Sequence, residues 1–202
     1  MPFNDVYANA WSYEAIRYAY NNGYMIGVGD EVFAPGGIVT RAQFVQLLYN
    51  IEGKPSFTPT DQFVDVLPGQ WYTDAIMWAA NNQITAGINE NEFGTNLPIT
   101  REQMITLFYN YGKTKENYRK NIDESSLEKR FKDADQVSDW AIEAANWCAT
   151  NSIVAGTIMD DGDIQYALLS PKDYATREQC AQIIKNMLIN GPDPLYDIYH
   201  NK

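Results

Sequence analysis

Along residues 71–87 the apolar positions fall at helical intervals. Trp71, Ala75, Trp78 and Ala79 occupy i, i+4, i+7 and i+8, a stripe down one side of a helix. The stripe gives out at Asn81-Asn82, residues that suit a helix end. A loop carrying Phe93 and Pro98 follows, and then a second apolar run, Met104, Ile105, Leu107 and Phe108, predicts a second helix. The same helix–loop–helix alternation recurs on either side. Its second-helix runs are Phe44, Val45, Leu47 and Leu48 in one place, and Cys180, Ala181, Ile183 and Ile184 in the other.

The recurrence is a repeat. "WSYEAIRYAYNNGYMIG", "WYTDAIMWAANNQITAG" and "WAIEAANWCATNSIVAG" align without gaps from Trp11, Trp71 and Trp140 to Gly27, Gly87 and Gly156, a separation of sixteen positions in each case. Asp5, Trp11, Gly27, Phe33 and Thr40 lie 60 residues before Asp65, Trp71, Gly87, Phe93 and Thr100. The third copy is looser, with one extra residue between Asp133 and Trp140 and seven extra between Gly156 and Thr176. Ala15, Ala75 and Ala144 share one aligned position, where a small side chain allows another helix to come close. First helices are expected to end near Asn21-Asn22-Gly23, Asn81-Asn82 and Thr150-Asn151. The expected division is a first copy over 1–53, a second over 61–112, a charged linker or short helix over 113–130, a divergent third copy over 131–190 and a tail over 191–202.

Each second helix opens on Thr-Arg-x-Gln. Thr40, Thr100 and Thr176 with Gln43, Gln103 and Gln179 three residues on make capping boxes, so local physics accounts for Thr and Gln. It does not account for Arg41, Arg101 and Arg177, because a cation in the first turn opposes the helix dipole. A guanidinium beside open helix N–H groups forms a receptor for an outside carboxylate or phosphate. The alternative is a carboxylate of a neighbouring copy, Asp5, Asp65 or Asp133. Both remain open at this level.

The tryptophans also divide. Trp78 and Trp147, mid-helix, read as core; Trp11, Trp71 and Trp140, at helix starts, read as core with a partly exposed edge, the other reading being a platform for a sugar.

Composition narrows the function classes. Aromatic residues make up 13% of the chain and hydrophobic residues 45%, ample for a packed interior. A net charge of −11 argues against non-specific nucleic-acid binding. No stretch is long and apolar enough to cross a membrane. The first residues show no signal-peptide pattern. His200 is the single histidine, which removes Ser-His-Asp and Cys-His catalysis. Cys148 and Cys180 sit at apolar helical positions and read as buried free thiols rather than a disulfide. Asp160, Asp161 and Asp163 read as an acidic turn, since the spacing of a calcium-binding EF-hand is missing. No catalytic residue, metal site or cofactor is expected.

Two stretches, "FNDVYANAWSYEAI…GYMIGVGDEVFAPGGIVTRAQFVQLL" and "FVDVLPGQWYTDAIMWAANNQITAGINENEFGTNLPITREQMITLF", resemble S-layer homology (SLH) repeats. That family's pattern runs Phe-x-Asp-Val, Trp and a helix, Gly-Ile-x-x-Gly, a Phe-x-Pro loop, then Thr-Arg-Ala-Glu opening a second helix. Gln stands for the last Glu in all three copies, and either residue completes the box. The third copy departs further, with "FKDADQVSDW" and a longer loop. The resemblance implies an all-α fold of three helix–loop–helix repeats in a pseudo-threefold assembly, with grooves between repeats. It implies a secreted, extracellular anchor at the bacterial cell wall or S-layer, fused to a surface-protein cargo. Its partner would be secondary cell-wall polysaccharide carrying an acidic, pyruvylated sugar. By the same resemblance Arg41, Arg101 and Arg177 match the arginine that meets the acid. Asp5 and Asp65 match the acid before the first helix, Trp11 and Trp71 the aromatic near the groove, and Gly27 and Gly87 the glycine that leaves room for the sugar. The grooves of Arg41 and Arg101 are expected to be the better formed.

Three functions compete at this point: a non-catalytic polysaccharide-binding anchor, a protein–protein assembly module of a surface layer, and a glycosidase. Repetition suits binding, and no carboxylate pair has the setting glycoside hydrolysis needs, so the anchor is favoured. An acidic protein gains no long-range steering toward an acidic polymer, so recognition must rest on local bidentate contacts.

Overall fold

The computed structural model describes residues 1–59, 62–115, 122–160 and 164–190. The first helices of the three copies are α1 (Tyr13–Asn21), α3 (Thr73–Asn81) and α6 (Ile142–Thr150). The second helices are α2 (Arg41–Ile51), α4 (Arg101–Lys113) and α7 (Arg177–Lys185), the last continued by a π-helical turn, Asn186–Asn190. A short helix, α5 (Ser126–Arg130), lies in the charged segment before the third copy. The three first helices stop at the Asn and Thr residues where the apolar stripe ends.

The expectation of an all-α fold needs one correction. The chain is mostly helical, but Thr157–Asp160 (β1) and Gln165–Leu168 (β2) pair antiparallel, with Thr157 opposite Leu168 and Asp160 opposite Gln165. These strands lie in the stretch between Gly156 and Thr176, where the third copy carries its seven extra residues. Thr157, Ile158 and Tyr166 favour a pleated backbone, and strands this short carry too few residues for a readable alternation. Asp161 and Asp163 of the acidic turn, and His200 in the tail, lie outside the described residues.

The chain divides into two compact units. The first comprises Met1–Ile99 with Ala175–Gln182. Its core holds Ala15, Ile16, Phe33, Phe44, Leu48, Ile76, Phe93 and Ile99. Helices α2 and α3 pack together, the Tyr49 and Trp78 rings lying 5.4 Å apart. At its centre three backbones close a ring of hydrogen bonds. Val39 N–H donates to Ala175 O (3.0 Å), Ala175 N–H to Ile99 O (2.9 Å), and Ile99 N–H to Val39 O (2.9 Å). One residue from each copy contributes, and all three are buried.

The second unit comprises Thr100–Tyr174 and the chain from Ile183 onward. Helix α6 packs against α4 and α5 around Met104, Phe108, Tyr111, Leu127, Phe131 and Ile184. The Tyr109 and Trp147 rings, 5.3 Å apart, repeat the Tyr49–Trp78 contact. Cys148 and Cys180 are both buried and form no disulfide with each other, and burial pushes the Cys148 thiol far above its ordinary value.

Trp78 and Trp147 are core, as their mid-helix positions predict. The reading of Trp11, Trp71 and Trp140 as core is overturned: they are 61%, 58% and 57% exposed. Helices α1, α3 and α6 begin at Tyr13, Thr73 and Ile142. These tryptophans therefore precede the helices and leave the apolar stripe that was extrapolated back through them.

Candidate functional site

The three Thr-Arg-x-Gln segments form the capping boxes that their sequence predicts. Gln43 N–H donates to Thr40 Oγ1 (3.3 Å) while Thr40 N–H donates to Gln43 Oε1 (3.0 Å). Thr100 with Gln103, and Thr176 with Gln179, repeat the exchange. The next two amides are also engaged. Arg41 N–H donates to Leu97 O and Ala42 N–H to Thr95 O. Arg101 and Glu102 do the same to Asp173 O and Pro171 O, and Arg177 and Glu178 to Gly37 O and Pro35 O. The helix N-termini are thus closed by loop carbonyls. Of the two readings left open for these arginines, the receptor built on open helix N–H groups is not formed, because the first-turn donors are already used internally.

The arginine side chains follow one rule. Nε of Arg41 donates to Phe93 O (2.9 Å), Nε of Arg101 to Leu169 O (2.6 Å) and Nε of Arg177 to Phe33 O (2.7 Å). These acceptors belong to the next copy in cyclic order, 52, 68 and 144 residues away. The Arg41 guanidinium also lies 4.9 Å from the Phe93 ring centre, and that of Arg177 lies 4.4 Å from the Phe33 ring centre.

The aspartates grip the same residues from the other side. Asp5 accepts from the N–H groups of Phe33 (2.9 Å) and Ala34 (2.7 Å). Asp65 accepts from Phe93 (2.8 Å), Gly94 (2.8 Å) and Thr95 (3.1 Å), and Asp133 from Leu169 (2.8 Å) and Ser170 (2.7 Å). One loop residue per copy is therefore held at its N–H by an Asp and at its C=O by an Arg. At Arg41 and Arg177 the alternative of a direct Arg–Asp pair gives way to this bracket. Burial raises the carboxyl pKa of Asp5 and Asp65, but the loop N–H donors outweigh it, and both lie below the ordinary 3.8. Arg177 nearby adds to the lowering at Asp5. Burial in turn draws Arg41 and Arg177 below the usual guanidinium value. Asp65 opposes this at Arg41, and Cys180 and Asp5 oppose it at Arg177. Arginine stays cationic throughout.

The glycines answer to the same packing. A Cβ on Gly27 would stand 2.8 Å from the Phe3 ring and from Val32 O. At Gly87, where φ is +84°, it would stand 2.5 Å from Glu92 O and 2.7 Å from the Phe63 ring. These glycines make room for the Phe of their own Phe-x-Asp segment. Gly156 does the same for Phe131.

The arginines differ in exposure. Arg41 and Arg101 are each 4% exposed. Arg177 is part-buried and borders a cavity of about 480 Å³ in the first unit. Loop residues Tyr24 to Val28, helix α2 residues Gln43, Gln46 and Asn50, and Lys54, Trp71 and Cys180 line it with Arg177. Gly27 and Trp71 thus meet Arg177, whereas Asp5 and Asp65 point into loop backbone. The cavity holds two cations and none of its lining residues is Asp or Glu. A second Arg177 donor, Nη2, fixes Ile26 O (2.6 Å), which orients the guanidinium at the cavity wall.

Three segments, residues 2–45, 62–105 and 130–157, match the family model described as S-layer homology domain, more than half of the chain. The chain belongs to the S-layer homology domain family. The third SLH match stops before the Arg177 helix, where the hairpin intervenes, yet Arg177 makes the same Nε bond as its two counterparts. The S-layer protein sap of Bacillus anthracis is 30% identical over 191 residues, 90% of this chain and 20% of that protein. An endoglucanase of Bacillus sp. (strain KSM-635) is 29% identical over 197 residues, 96% of this chain and 20% of its own length. An amylopullulanase of Thermoanaerobacterium thermosulfurigenes is 29% identical over 187 residues, 92% of this chain and 9% of its own. The chain thus spans about a fifth or less of these relatives. Proteins with different names share this one segment, and the segment is an SLH module rather than a catalytic domain.

Sequence reasoning missed a further contact at the variable position of Thr-Arg-x-Gln. Glu102, buried, accepts from Ser138 N–H (3.0 Å), Ser138 Oγ (3.2 Å) and Lys172 Nζ (2.7 Å). Glu178 accepts from Ser12 Oγ (2.7 Å). Ala42 has no side chain for this, and no local spacing signals it.

Proposed function

We propose that this SLH module is a non-catalytic anchor that holds a fused surface protein to an acidic secondary cell-wall polysaccharide at the bacterial cell surface. The observation that carries the reading is the Arg177 cavity. In a chain of net charge −11, it presents Arg177 and Lys54 with no lining acid, and half-exposed Trp71 stands at its edge. Such a site favours a carboxylate held by a guanidinium, with a sugar face against an indole. A pyruvylated sugar meets both requirements. The names of the relatives, surface-layer proteins and polysaccharide-degrading enzymes, suit a segment that tethers different cargoes. The three copies, 1–53, 61–112 and 131–190, with 113–130 as a linker, fit a pseudo-threefold order around the Val39–Ile99–Ala175 ring. Arg41 and Arg101 act in this reading mainly as brackets between copies, with Asp5 and Asp65 completing them.

Retention on deproteinated cell walls tests the reading. The chain should bind walls and release them once wall carboxyl groups are reduced to alcohols. Retention that needs added surface protein, and none on bare polymer, would favour the assembly module instead.

A further inference from the structure

Gln46 sits on α2 and borders the Arg177 cavity. Its Oε1 is the one buried side-chain N or O atom without a hydrogen-bond partner among the described residues. The orientation of its amide is fixed by a relay. Asn50 Nδ2 donates to Tyr24 O (3.0 Å), a carbonyl that can only accept. Asn50 must therefore turn Oδ1 toward Gln46, and Gln46 Nε2 donates to it (2.9 Å). Flipping the Gln46 amide would set two oxygens against each other, so the orphan atom is the acceptor. A buried acceptor without a protein donor costs free energy, and such atoms in native folds call for a reason.

We infer that Gln46 determines specificity in this cavity: its Oε1 accepts a hydrogen from a hydroxyl or amide of the sugar acid whose carboxylate meets Arg177. The inference rests on the polysaccharide reading given above. Terminal amide torsions are soft, so a small adjustment about χ3 that leaves Nε2 on Asn50 lets Oε1 meet a donor placed in the cavity that Gln46 lines. The site then rewards a ligand with two features, an anion for Arg177 and an O–H or N–H donor for Gln46. A simple carboxylate or a fully O-alkylated sugar acid supplies only the first. Rejection of a ligand that lacks a required donor is strong because the acceptor stays unpaired.

The test is a cycle of two proteins and two probes. Wild type and Gln46→Met are titrated with purified wall-polysaccharide fragments, and with the same fragments methylated at both their hydroxyl and amide groups and their carboxylates freed. Gln46→Met should bind unmodified fragments about tenfold more weakly. Its melting temperature without ligand should change little, since the unpaired Oε1 is gone while Asn50 Oδ1 loses its Gln46 donor. Methylation should weaken wild type about tenfold more than it weakens Gln46→Met. Equal methylation effects on the two proteins would overturn the inference, as would an unchanged affinity of Gln46→Met. If wild type fails to bind unmodified fragments, the polysaccharide reading falls and this inference with it. If wild type binds and the cycle shows no coupling, only the role of Gln46 falls.

Discussion

Asp65 offers the sharpest test of the bracket, whose Asp arm lies within the second copy and whose Arg arm, Arg41, reaches in from the first. Its carboxylate takes the N–H groups of Phe93, Gly94 and Thr95 at 2.8, 2.8 and 3.1 Å, and all three residues are buried. Asp65→Ala leaves three donors with no acceptor, at about 1–3 kcal/mol for each unsatisfied buried group. Water entering beside the part-exposed carboxylate position recovers some of this, so a net loss of about 3–5 kcal/mol is expected. At 2–4 °C per kcal/mol for a chain of this size, the melting temperature should fall by roughly 6–20 °C. Asp65→Asn keeps one acceptor oxygen but turns an NH2 group toward amide donors, and should lose roughly half as much. Thermal melts followed by circular dichroism read both variants. Acid provides an independent check. The Asp65 carboxyl has a lower pKa folded than unfolded, so its stabilisation is complete above the unfolded value near 3.8 and is lost as pH falls through the lower folded value. Asp65→Asn should therefore show a shallower loss of stability over that acid range than wild type. A melting temperature for Asp65→Ala within 1 °C of wild type, or acid curves that superimpose for Asp65→Asn, would refute the bracket.

Two further substitutions follow from the same packing. Gly87→Ala places a Cβ 2.5 Å from Glu92 O at a φ of +84°, and should cost about 2–4 kcal/mol in urea unfolding. A loss below about 0.5 kcal/mol would mean the loop relaxes freely. Arg41→Met removes the bond to Phe93 O and the guanidinium over the Phe93 ring, and should lower stability by about 2–3 kcal/mol. An unchanged urea midpoint would show that Arg41 is not a structural pin.

Much of the fold can be read from short-range pattern. Helix ends at the Asn clusters and the capping boxes at Thr40, Thr100 and Thr176 depend on residues within four positions, so spacing alone reveals them. The arginines could not be read this way. Their acceptors lie 52, 68 and 144 residues off, and a carbonyl oxygen leaves no mark in sequence. Only the impropriety of a cation in a helix's first turn signalled that Arg41, Arg101 and Arg177 had distant business. Trp71 misled for the opposite reason. Its place in the apolar stripe suggested core, but the helix starts two residues later and leaves it outside. The cavity depends on residues from all three copies, Gly27, Trp71 and Arg177, so its position beside Arg177 emerges only on folding. The order expected from sequence, with Arg41 and Arg101 ahead of Arg177, followed closeness to the family pattern. Exposure follows packing instead.

The account stands on the Arg177 cavity as the place where an acidic wall glycan is held, and titration of Arg177→Gln with purified wall polysaccharide measures this directly. The variant also loses the Phe33 carbonyl bond, so the titration belongs at low temperature with the fold verified by circular dichroism. Loss of a charge-assisted guanidinium–carboxylate contact predicts binding weaker by roughly 30- to 100-fold, about 2–3 kcal/mol. A folded Arg177→Gln protein that binds within twofold of wild type would contradict it.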